Sequence, residues 1–119
     1  MKTVLIIDDS ANLSELTSEF LEAKGYQTVL AYDGDSGLEM ARVNKPDIIL
    51  LDLVMPNMDG YEVCSHLKED SLTKEIPVVM VTSRSEETYR KSGAEVGVND
   101  FLTKPFEFED LLDTIEKFI

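Results

Sequence analysis

Short apolar runs rich in valine and isoleucine alternate along this chain with segments whose apolar residues recur at the helical period. That alternation is the pattern of βαβ units built around a parallel sheet. Five strands are predicted, at about Thr3 to Ile7, Gln27 to Ala31, Ile48 to Leu51, Pro77 to Val81 and Asp100 to Leu102, with the weaker patterns at the edges. The first helix places Leu13, Leu16, Phe20 and Leu21 on one face and stops at Lys24-Gly25, where glycine suits a left-handed C-terminal position. Further helices are predicted over Asp35 to Val43, Tyr61 to Lys68 and Glu86 to Val96, the last of these interrupted by Ser92 and Gly93. A final helix carries Phe108, Leu111, Leu112, Ile115, Phe118 and Ile119 on one stripe, which should pack on the sheet. Asp33-Gly34, Asn57 and Asp59-Gly60 are turn or cap chemistry. No linker, repeat or low-complexity tract divides the chain.

The polar residues that end the strands change the picture. Asp8 and Asp9 follow Val4-Leu5-Ile6-Ile7, Asp52 follows Ile48-Ile49-Leu50-Leu51, and Lys104 lies just past Phe101-Leu102. Right-handed crossovers restrict such a chain to a few doubly wound orders, and ligands of those sheets bind beyond the strand carboxyl ends, where the order reverses. With the order 2-1-3-4-5 that crevice lies between the first and third strands, which end at Asp8-Asp9 and Asp52. Taken singly, each residue has a bland reading. An aspartate beside Ser10-Ala11 caps a helix, an aspartate after a strand opens a turn, and a lysine before proline is solvated. Their convergence on one edge is what points to a site.

Composition narrows the function. The 119 residues, 43% of them apolar, suffice for about one domain that buries roughly two-thirds of its unfolded surface. A formal net charge of −13 disfavours nucleic acid and anionic membrane surfaces, leaving a protein or a small cation-assisted ligand as partner. Cys64 is the only cysteine, so there is no intrachain disulfide, and no Cys/His spacing resembles a zinc site. The apolar stretches are strand-sized, too short for a signal peptide or a transmembrane helix, so a cytoplasmic location is expected.

Three ionised carboxylates in one crevice need a counter-charge, since two unit charges about 4 Å apart cost roughly 4 kcal/mol at an effective dielectric near 20. A divalent cation supplies it. All-oxygen ligands with open positions fit Mg²⁺, which keeps waters and prefers phosphoryl oxygens. Asp52 could then act as a nucleophile and accept a phosphoryl group as an acyl phosphate. Lys104 and the Thr82 hydroxyl, each at the end of its strand, could hold the remaining phosphoryl oxygens.

These residues also carry a resemblance. Ile7-Asp8-Asp9-Ser10, the run from Leu50 through Asp52 to Gly60, Val81-Thr82-Ser83 and the run from Asp100 through Lys104 to Phe106 resemble a response-regulator receiver domain of two-component signalling, similar to chemotaxis regulators, over essentially the whole chain. The fold this implies is a doubly wound five-stranded parallel sheet of order 2-1-3-4-5, a flavodoxin-like three-layer sandwich, with residues 1–119 as one receiver domain. The function it implies is a phosphorylation switch fed by a phosphohistidine on a sensor histidine kinase or a histidine phosphotransfer protein. By position, Asp52 is the phosphoacceptor, and Mg²⁺ binds Asp9 and Asp52 by carboxylate, Val54 by its backbone carbonyl, and Asp8 directly or through water. Lys104 pairs with the phosphoryl group, Thr82 moves toward it, Phe101 turns inward as the switch aromatic, and the Lys104-Pro105 bond is cis. A surface around the fourth helix, fifth strand and fifth helix then reports the state to a downstream protein, and a phosphorylation-dependent homodimer is compatible with it. The resemblance implies no substrate turnover beyond self-catalysed phosphorylation and autodephosphorylation.

The same resemblance implies that Val54, two after Asp52, and Arg84, two after Thr82, flank the path of a hydrolytic water; Val54 would offer that water no side-chain hydrogen bond, so a long-lived phosphoryl group is expected. His66 is expected at a surface or boundary rather than as a phosphodonor, Cys64 as a small inert helix residue, and Arg90-Lys91 as a solvated basic spot. Three other functions compete. A flavodoxin-like mononucleotide binder would share the sheet order but should carry a phosphate loop rich in Gly, Ser and Thr after the first strand, where two carboxylates would repel a phosphate. A metal-dependent phosphohydrolase with an aspartyl-phosphate intermediate would carry Asp-x-Asp after the first strand, where this chain has adjacent aspartates. A receiver-like interaction module that is never phosphorylated would be expected to lack site residues that are present here. The sequence stops where the last helix pattern ends, which fits either a stand-alone receiver or the amino-terminal part of a longer regulator.

Overall fold

In a computed structural model that describes residues 1–83 and 94–119, five parallel strands form one sheet in the order β2-β1-β3-β4-β5. They are β1 (Thr3–Ile7), β2 (Gln27–Ala31), β3 (Ile48–Asp52), β4 (Val78–Thr82) and β5 (Asp100–Thr103). Every residue of β3 and β4 is buried, because the central strands of a parallel sheet are covered by helices on both faces. Pairing runs Val4 to Ile48 through Ile7 to Leu51 between β1 and β3, and ends at Thr82 with Thr103 between β4 and β5. The strands reach one residue further than their apolar runs, so Asp52 and Thr82 are themselves strand residues.

Period-two alternation splits the core in two. Leu5, Ile7, Ile49, Leu51, Val78 and Met80 face α2 (Gly34–Asn44) and α3 (Gly60–Glu69), meeting Leu38, Ala41, Val63, Cys64 and Leu67. Val4, Ile6, Ile48, Leu50, Val79 and Val81 face α1 (Ala11–Ala23) and the C-terminal helix (Phe108–Glu116), meeting Leu21, Leu111 and Ile115. Phe20 and Phe108 stack at 4.7 Å and join those two helices. Each fully buried Leu or Ile contributes about 2 kcal/mol by leaving water, so the two apolar layers supply the main drive to fold.

The helix boundaries follow their caps. Ser10, Asp33 and Asp59 accept hydrogen bonds from Leu13, Ser36 and Glu62 at the starts of α1, α2 and α3, and Gly25 takes φ +95° just beyond α1. The inward face of α1 differs from its apolar pattern. Leu16 is 56% exposed, whereas Ser14, Thr17 and Ser18 are buried beside Leu21. Small hydroxyl residues let the helix sit close to the sheet, and Ser18 is hydrogen-bonded to both Thr28 of β2 and Glu22. The stripe of the C-terminal helix packs as predicted, with Leu111 and Ile115 fully buried. The helix predicted over Glu86 to Val96 lies outside the described residues except for its end, where residues 94–96 are helical. Among the described residues no helix is long and apolar enough to cross a membrane.

A candidate acidic phosphoacceptor site

The carboxyl edge of the sheet gathers Asp8 and Asp9 from the end of β1, Asp52 from the end of β3, Thr82 from the end of β4 and Lys104 just after β5. One carboxylate oxygen from each aspartate lies within 4.8 Å of the others. Lys104 Nζ stands 3.3 Å from Asp8 Oδ2 and 3.4 Å from Asp52 Oδ1. Its backbone N–H donates to the Thr82 carbonyl at 2.8 Å, which fixes where the side chain starts, and the Lys104-Pro105 bond is cis. Asp8 and Asp52 are buried and Asp9 is exposed, so the cluster opens to solvent on the Asp9 side.

Local structure aims these groups. Ser10, rather than an aspartate, caps α1, and Asp8 Oδ1 instead accepts from the Ser10 N–H at 2.9 Å. Asp52 receives the backbone N–H of Val54, whose side chain is half exposed. Gly60 holds the intervening loop down by donating to the Leu53 carbonyl at 2.8 Å, and a Cβ there would lie 2.6 Å from the Asp52 carbonyl oxygen. Only glycine fits so close an approach. Asn57, at φ +70°, completes the turn.

Charge is unbalanced here: three carboxyl groups face one ammonium. Burial, and then the Asp8 charge, push the Asp52 carboxyl up to about 6, against the pull of Lys104 and of the Val54 N–H. A hard divalent cation fits this donor set. Two oxygens on one Mg²⁺ lie at most about 4.2 Å apart at bond lengths near 2.1 Å, close to the 4.8 Å within which these three oxygens already gather, and Asp9 is the exposed member of the set.

Of the other candidates, Thr82 ends β4 at this same edge and the rest fall elsewhere. Thr82 is 2% exposed, and Phe101 is half-buried against the α2/α3 core layer. His66 is exposed on α3. Cys64 is fully buried, donates to the Val96 carbonyl at 3.5 Å, and has its thiol pushed up to about 11 by burial, so it is inert. Arg84, Arg90 and Lys91 lie outside the described residues. Sequence reasoning missed Gly60 as a constraint on the site, the Val54 amide, and Ser14 beneath the acids. The first had a signal in Asp59-Gly60; the other two depend on packing that no local pattern encodes.

Comparison with known proteins agrees with this geometry. The family model described as the response regulator receiver domain matches residues 4–116. PilH of Pseudomonas aeruginosa is 40% identical over 115 residues, which cover 97% of this chain and 95% of that protein. The phosphate regulon transcriptional regulatory protein PhoB of Escherichia coli is also 40% identical over 115 residues, but these cover 97% of this chain and 50% of PhoB. The chain therefore spans nearly all of one relative and about half of the other. The chemotaxis protein CheY4 of Vibrio cholerae superposes with a TM-score of 0.96 at 33% identity, covering 100% of this chain and 99% of that one. With the sheet order, the acidic edge and these likenesses in agreement, the chain belongs to the response regulator receiver domain family, the CheY-like phosphorylation switches of two-component signal transduction.

Proposed function

We propose that residues 1–119 act as one receiver domain in which Asp52 accepts a phosphoryl group from a phosphohistidine on a sensor histidine kinase or histidine phosphotransfer protein. The observation that carries this reading is the convergence of Asp8, Asp9 and Asp52 within 4.8 Å, with Lys104 on two of them. Asp8, Asp9, Asp52 and the Val54 carbonyl would hold Mg²⁺, which when bound neutralises the carboxylates and the incoming phosphoryl oxygens.

The chain's own residues do the rest. An Asp52 oxygen forms a bond to phosphorus as the phosphorus–nitrogen bond of the donor breaks, and the imidazole leaves with the bonding electron pair and takes up a proton. Lys104, already midway between two acids, exchanges a carboxylate contact for a phosphoryl oxygen. Thr82, at the end of the neighbouring strand, offers its hydroxyl to another. Transfer needs alignment and charge compensation rather than covalent help, and Lys104 and the Val54 N–H provide fixed donors at the reacting edge.

Receiver domains are signalling domains rather than turnover catalysts. In this reading the chain catalyses only its own phosphorylation and hydrolysis. The phosphoryl group favours one of two packings involving Thr82 and Phe101, and the face formed by the segment before β5, β5 itself and the C-terminal helix reports the change to a downstream protein or a second copy. A cytoplasmic location accompanies this function. Incubation with a small phosphodonor, with and without Mg²⁺, followed by intact mass, tests the reading. One phosphoryl group per chain, dependent on Mg²⁺ and absent from Asp52→Asn, is expected. Repeated turnover would instead favour a hydrolase, and no uptake an interaction module.

A further inference from the structure

Beneath the acidic cleft lies a small recess of about 20 Å³, walled by Ile6, Leu50, Val81, Leu111 and Phe106 and edged by four polar residues, Asp8, Ser14, Thr17 and Asp52. Ser14 enters it from α1. It is 1% exposed, and its Oγ is the one buried side-chain polar atom among the described residues with no protein hydrogen-bond partner. An unpaired hydroxyl in an apolar interior costs about 1–3 kcal/mol unless something satisfies it. A recess of this volume admits one water molecule, which needs two to four polar partners, and four polar residues are among those that line it.

We propose that Ser14 holds a single structural water against the Asp8 and Asp52 carboxyl groups, and that Ser14 is thereby a positioning residue for the acidic site. Physical necessity and location agree. The hydroxyl needs a partner, and the same recess touches the two acids whose mutual repulsion Lys104 offsets only in part. Water donates two hydrogen bonds. One that accepts from Ser14 Oγ keeps both of its own hydrogens for carboxylate oxygens. It would hold the carboxylates at their mutual distance before a cation arrives, so part of the ordering cost of metal binding is met in advance. Thr17, also lining the recess, is 3% exposed and confines the water from the helix side.

This inference rests on the reading of the acids as a Mg²⁺ site, but its test separates the two. Crystals of the wild-type chain should show a water within hydrogen-bond distance of Ser14 Oγ and of an Asp8 or Asp52 oxygen. Ser14→Ala removes the hydroxyl and keeps the space, and since alanine favours helix it should fold. Ser14→Val removes the hydroxyl and fills the space. Mg²⁺ affinity, followed by NMR shifts of the backbone amides, should weaken in both by roughly threefold to tenfold, the worth of one bridged hydrogen bond. A wild-type structure with Ser14 bonded to the Ser10 carbonyl and no water would overturn the inference. So would wild-type affinity in Ser14→Val alongside loss in Ser14→Ala, because packing alone would then explain the effect. If the acids bind no Mg²⁺ at all, wild type and variants will be equally silent in the titration. That outcome rejects the metal site and the positioning role together, whereas loss of the water alone rejects only the latter.

Discussion

The two ends of the sheet treat charge differently. At the amino ends of the strands, polar groups are matched. The Thr3 N–H donates to Asp47 at 2.8 Å, the Val78 N–H donates to Asn99 at 2.8 Å, and Lys68 Nζ donates to the Ile76 carbonyl and to Asn99 Oδ1 at 2.9 and 3.1 Å. Arg42 and Asp70 close the same end at 2.7 Å, tying the last turn of α2 to the residue after α3. At the carboxyl ends, three carboxyl groups cluster with one lysine that pairs with two of them, and burial raises the proton affinity of Asp52. One end is arranged for stability. The other holds a charge imbalance that protonation of Asp52 or a bound cation would relieve, which suits it to respond to a ligand.

Matched lysine variants sharpen the contrast, and Lys104→Met has the larger expected effect. It leaves Asp8 and Asp52 facing each other in a site where both are under a tenth exposed. Breaking a buried pair costs about 3–5 kcal/mol, and Lys104 is partly solvated, so about 2 kcal/mol of stability should be lost at pH 7 in urea melts. That loss should shrink on acidification, because protonated acids no longer repel.

Next in size is the pH dependence of the wild-type chain without divalent cations. Asp52 has a folded pKa near 6, above its ordinary 3.8, so between these values the native state binds more protons than the unfolded state. Stability from this group is therefore present at acid pH and is lost as pH rises from about 4 to 6. Asp52→Asn should flatten that segment of the profile and leave the chain more stable than wild type at pH 7. Urea midpoints across the pH range check both, and a profile unchanged by the substitution would break the comparison between the two ends.

Lys68→Met should cost less, about 1 kcal/mol, because its acceptors are partly solvated carbonyls and an amide. The cost should vary less with pH than that of Lys104→Met, since none of its hydrogen-bond acceptors titrates and the carboxylate acting on it, Glu75, is exposed. The smallest effect is kinetic. Val54→Asn gives the attacking water a hydrogen-bonding side chain, and loss of the phosphoryl label should accelerate by roughly threefold to tenfold, the worth of one oriented hydrogen bond. No change in the decay rate would count against a long-lived phosphoryl group set by Val54.

The same contrast explains what could be read from the chain before folding. Strands were legible because β1, β3 and β4 are unbroken apolar runs, and Asp8, Asp9, Asp52 and Lys104 because each interrupts such a run at its end. The inward face of α1 was not legible. Leu13, Leu16 and Phe20 make an apolar stripe at helical spacing, yet the helix turns Ser14, Thr17 and Ser18 toward the sheet, where their small size permits a close approach and Ser18 finds Thr28 and Glu22. Hydrophobic periodicity registers apolar area, not the need for thin side chains at a tight contact. Gly60 was legible as a turn residue but not as a spacer under Asp52, because its neighbour across that gap lies eight positions away in the chain.

On the proposed reading Asp52, drawn together with Asp8, Asp9 and Lys104, is the phosphoryl acceptor of the switch. Borohydride reduction of the labelled chain, which converts an aspartyl phosphate to homoserine, followed by peptide mass spectrometry, reads that acceptor directly. Conversion confined to position 52, and lost when Mg²⁺ is chelated during labelling, is the predicted result. Label retained on His66, or conversion at another carboxylate with Asp52 untouched, would contradict it.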